Sequence, residues 1–109
     1  MSRQRVDDPV LAEMVNRLVA AFHPERIYLF GSRARGEAAH DSDYDLLVVV
    51  PNEAETARRK SRLAYQALRG TRVAADVIVR TRDEFDSRLG VIASLPATVA
   101  REGKLLYAA

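Results

Sequence analysis

Apolar residues recur at helical spacing early in the chain. Leu11, Met14, Val15, Leu18, Val19 and Phe22 fall on one face of a predicted helix. Asp8-Pro9 supplies its start, with Asp8 as N-cap and Pro9 at the first helical position, and His23-Pro24 supplies its end. The pattern then changes. Arg26–Phe30 is short, aromatic and β-branched, which predicts a strand running straight into Gly31-Ser32. Tyr44–Val50 predicts a second strand, closed by Pro51. Its run Leu46-Leu47-Val48-Val49-Val50 is apolar on both faces, as in a central strand covered from both sides. Residues 53–69, rich in Ala, Arg and Glu, predict a helix that Gly70 stops.

Residues 73–80 predict a third strand. Thr81 and Glu84 form a capping box that opens a helix near Asp83. Residues 96–102 predict a last short helix ended by Gly103, and residues 104–107 a terminal extended segment. There is no internal repeat, low-complexity stretch or Gly/Ser linker. This order predicts an α/β (α+β) fold, a small mixed β-sheet with helices packed against it.

The 109 residues fit one domain, residues 1–109, and the 48% apolar content suffices for a core. The net charge of +2 is too small to argue for nucleic acid by itself. The pI near 9.3 keeps that reading open, but aromatics are only 6% of residues and no basic stripe carries stacking side chains. Absence of cysteine excludes disulfides and thiolate zinc sites. No signal-peptide pattern and no membrane-length apolar run is present, so a cytoplasmic protein is expected.

Three features depart from a plain core. The first is Gly31-Ser32-Arg33-Ala34-Arg35-Gly36, directly after a strand. Glycine lets backbone amides approach an anion, Ser32 adds a hydroxyl, and Arg33 and Arg35 add positive charge. The alternative is an ordinary strand-to-helix turn with solvated arginines. The second is Asp43-Tyr44-Asp45 at the head of the second strand. Residues two apart on a strand share a face, so both carboxylates sit side by side, and ionising both is costly without a cation. Clustered oxygen ligands suit Mg²⁺ or Mn²⁺. The alternative is a solvated strand start. The third is Asp76 within an apolar strand, where a carboxylate is costly unless bound to metal or paired with an arginine.

In this order, the Gly31–Gly36 turn, Ser42-Asp43-Tyr44-Asp45-Leu46-Leu47-Val48 and Asp76 resemble the DNA polymerase β-type nucleotidyltransferase superfamily. More narrowly they resemble its minimal (MNT) members, antitoxins that stand beside HEPN-domain toxins. The resemblance implies a polymerase β palm-like fold. It implies that Gly31 and Ser32 hold the triphosphate, with Arg33 and Arg35 as candidate phosphate contacts. It further implies that Asp43 and Asp45 bind two Mg²⁺ ions, with Mn²⁺ as an alternative, and that Asp76 completes the metal site and orients the acceptor hydroxyl. The implied reaction moves AMP from ATP to a hydroxyl, a tyrosine of a partner HEPN toxin. Two other readings are transfer to a small molecule and a non-catalytic antitoxin that covers its toxin. The acceptor, the base preference and the oligomeric state, homo- or hetero-, are not legible. Larger relatives use a C-terminal helical region to hold nucleotide or acceptor, and these residues carry none.

Overall fold

The computed structural model describes residues 2–3, 8–36, 43–52, 60–71 and 74–109. The elements are β1 (Ser2–Arg3), α1 (Pro9–Phe22), β2 (Arg26–Phe30), β3 (Tyr44–Val50), α2 (Lys60–Ala67), β4 (Ala75–Thr81), α3 (Arg82–Asp86), α4 (Leu95–Glu102) and β5 (Lys104–Ala108). They form one mixed sheet of order β1-β5-β2-β3-β4. All its pairings are antiparallel except β3 with β4, which is parallel.

The expected helix starts and stops are in place. Asp8 caps α1, accepting from Val10 N at 2.9 Å and Leu11 N at 3.3 Å, with Pro9 in the first turn. His23 ends it in the left-handed region at φ 48°. Thr81 and Glu84 close both halves of a capping box over α3. Ser94 caps α4 through Ala97 N. Residues 53–59 of the expected long helix lie outside the described residues, as does Val73 of the expected third strand, and Lys60–Ala67 is helical as expected.

Strand alternation divides the core into two layers. Leu46, Val48 and Val50 pack with Leu11, Met14, Val15, Leu18 and Phe22 of α1 and with Ala64 of α2. Leu47 and Val49 point the other way, into a smaller cluster with Phe85 of α3 and Val99 of α4. Residues Leu46 to Val50 are all fully buried, which is the two-faced burial that the apolar run predicted. Phe85 stacks on Tyr28 with ring centroids 5.4 Å apart. Among the described residues, no helix is long and apolar enough to cross a membrane.

The terminal segment enters the sheet rather than lying on it. β5 fills the slot between β1 and β2. β1, which the sequence pattern did not reveal, pairs with β5 through Ser2–Ala108 and Arg3–Tyr107.

Candidate active site

Three neighbouring strands meet at the head of β3. In the β2–β3 ladder Phe30 pairs with Asp45, and in the parallel β3–β4 ladder Asp45 pairs with Asp76. Register partners on adjacent strands carry their side chains on the same face, with strands about 4.8 Å apart. The two carboxylates are therefore neighbours. Their face is the one that carries Leu47, Val49 and Ile78, covered further along by α3 and α4. Asp43 lies two residues before Asp45 at the mouth of the strand.

The convergence has an electrostatic consequence. Burial raises the Asp45 carboxyl above the usual carboxylate range, the charges of Asp76 and then Asp43 raise it further, and Arg35 opposes them. Asp45 is half-buried, whereas Asp43 and Asp76 are exposed, so the cluster opens to solvent on one side. Among the described residues no three His, Cys, Asp or Glu side chains form a ready-made metal cage. An open carboxylate pair still fits Mg²⁺, which usually takes one or two carboxylates and completes its shell with water and substrate phosphates. The charges of Asp76 and Asp43 beside the half-buried Asp45 carboxyl are the repulsion such a cation would relieve.

The turn after β2 is set by Gly31. Ala34 N and Arg35 N both donate to Gly31 O, at 3.1 and 3.3 Å, and Gly36 N donates to Arg33 O at 3.3 Å. Residues 31–36 thus make one helical turn. Gly31 sits at φ 75°, and a Cβ there would run into the Asp45 carboxylate, with its Cγ only 3.1 Å away. The backbone of the turn lies directly against the acidic cluster, as a phosphate cradle next to a metal site requires.

The nucleotidyltransferase domain family model matches residues 11–101. The chain belongs to this family. Among solved structures, this nucleotidyltransferase is similar to a Sulfolobus solfataricus protein assigned to the same activity, at 30% identity and a TM-score of 0.56, covering 72% of this chain and 69% of the other. It shares its fold with a toxin–antitoxin structure containing AMP-PNP, at 23% identity and a TM-score of 0.62, covering 90% of this chain and 73% of the other. A third match is a mutant MntA–HpeT toxin–antitoxin in which two aspartates two positions apart are changed to glutamate. It has 18% identity and a TM-score of 0.60, with coverage of 90% and 73%. A search of curated protein sequences finds no match.

One sequence expectation about this nucleotidyltransferase needs correction, and one alternative reading falls. Asp76 is not a buried carboxylate in mid-strand: β4 begins at Ala75, so Asp76 is its second residue and is exposed. The cost of a buried, unpaired charge does not arise there, and its proximity to Asp45 is what marks it. Arg33 is not simply solvated. Its guanidinium carbon lies 4.0 Å from the Tyr44 ring centroid, a cation–π stack on the face of β3 opposite the carboxylates.

Sequence reasoning also missed what anchors that stack. Tyr44 Oη donates to Asp8 Oδ2 at 2.5 Å, joining the cap of α1 to the head of β3. Burial pushes the Asp8 carboxyl up, but bonds from Tyr44, Leu11 and Val10, helped by Arg33, together hold it below its ordinary value. The placement of Tyr between two spaced aspartates was the available signal, since alternation sends it to the other face. A depressed carboxyl stabilises the fold above its unfolded value of about 3.9 and loses that contribution as pH falls through the folded value. Asp8→Ala is expected to cost about 1–2 kcal/mol in urea unfolding at neutral pH, combining a lost cap with an orphaned tyrosine hydroxyl. The difference from wild type should shrink once acid protonates Asp8. An equal loss at both pH values would show that the carboxylate charge contributes nothing.

Proposed function

We propose that this nucleotidyltransferase moves AMP from ATP to a hydroxyl of a partner protein, a tyrosine of a HEPN-domain toxin, and so acts as an antitoxin: the hydroxyl oxygen bonds the α-phosphorus, its proton is lost, and the bond to the β-phosphate breaks to release pyrophosphate. The observation that carries the reading is the Asp45–Asp76 pair with the Gly31 backbone packed against it. Family membership supports the reaction class. The names of two fold neighbours, toxin–antitoxin assemblies, one with AMP-PNP and one altered at two spaced aspartates, support the biological setting.

In this reading Gly31 and Ser32 bind the triphosphate through the helical turn's amides and the serine hydroxyl. Asp43 and Asp45 are proposed to hold two Mg²⁺ ions, with Asp76 as a further ligand on the acceptor side. Bound there, the cations would neutralise phosphate charge and lower the pKa of the attacking hydroxyl. The strand ladder fixes the carboxylates before substrate arrives, so little reorganisation is needed. Arg35, whose charge already acts on Asp45, is placed to meet phosphate oxygens. Arg33 is assigned to holding the turn against Tyr44.

The test is incubation with α-labelled ATP, Mg²⁺ and a candidate HEPN partner. Label appearing on a partner tyrosine is the expected result. A tight complex that never acquires label would overturn the transferase reading in favour of neutralisation by covering.

A further inference from the structure

The acidic cluster shares its sheet face with a cavity that the reaction as described does not use. It lies between β3, β4 and the α3–α4 segment and has a volume of about 530 Å³. Leu47 forms its floor, and Arg80, Arg88, Glu84, Ser87 and Ser94 supply its polar wall. Leu47 is the next residue after Asp45 on that face, and Arg80 the second after Asp76. At strand rise these are roughly 7 Å and 13 Å from the carboxylates.

The wall has a defined charge. Two guanidiniums face one carboxylate, and Glu84 already accepts from Thr81 N at 2.7 Å. Ser94 Oγ donates to Arg88 O at 2.7 Å, which fixes the backbone that carries Arg88. Arg80 spends one N–H on Val79 O at 2.9 Å, of the five its guanidinium carries. Arg88 is exposed. The same α3–α4 connection presents Leu89, Val91 and Ile92 to solvent, with Ile92 80% exposed. Three large apolar side chains in four residues beside a basic cavity make a surface suited to a protein segment rather than to a small anion.

We propose that this cavity and its apolar rim form the docking site for an acidic segment of the acceptor protein, whose carboxylates meet Arg80 and Arg88 while its hydroxyl reaches Asp45 and Asp76. The occupant is argued from charge complementarity, and the inference rests on the transferase reading for the hydroxyl alone. Charge is thereby zoned along one sheet face. Carboxylates at the strand heads serve cation and phosphate, and arginines further along select the acceptor.

The experiment reads binding without nucleotide, so it stands apart from any failure of transfer. Fluorescent poly(Glu,Tyr) and poly(Lys,Tyr) copolymers are titrated by anisotropy at about 150 mM salt, where long-range attraction is screened. The wild-type chain is expected to prefer poly(Glu,Tyr). Arg88→Glu and Arg80→Glu should each weaken it by roughly tenfold or more, and Ile92→Asp should weaken it too. Arg62→Glu, on the exposed side of α2 across the sheet, should not change it. Circular dichroism melts check that each variant folds, and the exposed Arg88 keeps the test open if Arg80→Glu does not. Equal binding of both copolymers, or equal loss with Arg62→Glu and Arg88→Glu, overturns the proposal. If the copolymer binds as expected but no label is transferred to it or to a partner, the docking surface stands and the transferase reading falls.

Discussion

Asp45→Asn is expected to lower nucleotidyl transfer by about 10²–10³-fold or more while raising the melting temperature of the ligand-free protein at neutral pH. The two effects have one cause. Burial and the charges of Asp76 and Asp43 hold the Asp45 carboxyl above its usual range. A group whose folded value is raised binds its proton more tightly in the folded state. Folding therefore weakens as pH rises through the interval from the unfolded value of about 3.9 to the folded one, and the deficit persists above it. Asparagine keeps the shape and removes the charge, so it removes the deficit together with the cation ligand. A gain of about 1 kcal/mol corresponds to roughly 4–8 °C in a domain near this size. Thermal melts at neutral and acid pH, with and without Mg²⁺ and ATP, check it. The gain should disappear at acid pH, where Asp45 is itself protonated, and Mg²⁺ with ATP should stabilise wild type but not the variant. Full activity in Asp45→Asn, or a lower melting temperature at neutral pH, would remove Asp45 from the centre of the site.

Gly31→Ala is expected to damage fold and site together. The left-handed conformation at φ 75° strains any side chain, costing about 1 kcal/mol or more. The added methyl also has no room, because it would collide with the Asp45 carboxylate. Either the turn moves off β3 or Asp45 rotates away from Asp76. Both outcomes should lower transfer by about 10²-fold, since misplacing reactive groups by 1 Å is that costly. The instructive comparison is Gly36→Ala. Gly36 has the same kind of dihedral, φ 72°, but among the described residues nothing lies within 4 Å of the position its Cβ would take. It should lose stability from strain while retaining most activity. Equal activity losses at the two glycines would mean that backbone strain, and not the approach to Asp45, limits the site.

Local chemistry made much of the fold legible. β2 and β3 occupy their expected limits because Gly31 and Pro51 bound their apolar runs. The caps of α1 and α3 are where Asp8 and Thr81 put them. What escaped depends on pairing across the chain. Nothing in Ser2-Arg3 spells a strand; β5 makes it one. Nor does residues 104–107 as a local pattern show that they enter the middle of the sheet. The apolar neighbours of Asp76 place it inside a strand, but β4 stands at the edge of the described sheet and begins only one residue before it. The Asp8–Tyr44–Arg33 chain joins three separate segments, and the Arg80–Arg88 cavity needs α3 folded over the sheet. Proximity of that kind has no one-dimensional signature. The face shared by Asp45 and Asp76 was legible in part, since alternation gives each strand its parity but not the register between strands.

That register lets the two halves of the acid pair be inherited separately from what joins them. Their separation is dictated by rungs of the β3–β4 ladder, so the loops that flank α2 can change length or composition without moving either oxygen cluster, provided that α2 keeps Ala64 in the core. A deletion of one residue within β3 has the opposite consequence: the strand on one side of it changes faces relative to the other, so that either the acid turns into the oily layer under α1 or the apolar residues after it change layers. Descendants of this chain are thus free to diversify the loops of their crossover while the strand heads tolerate almost no drift in length.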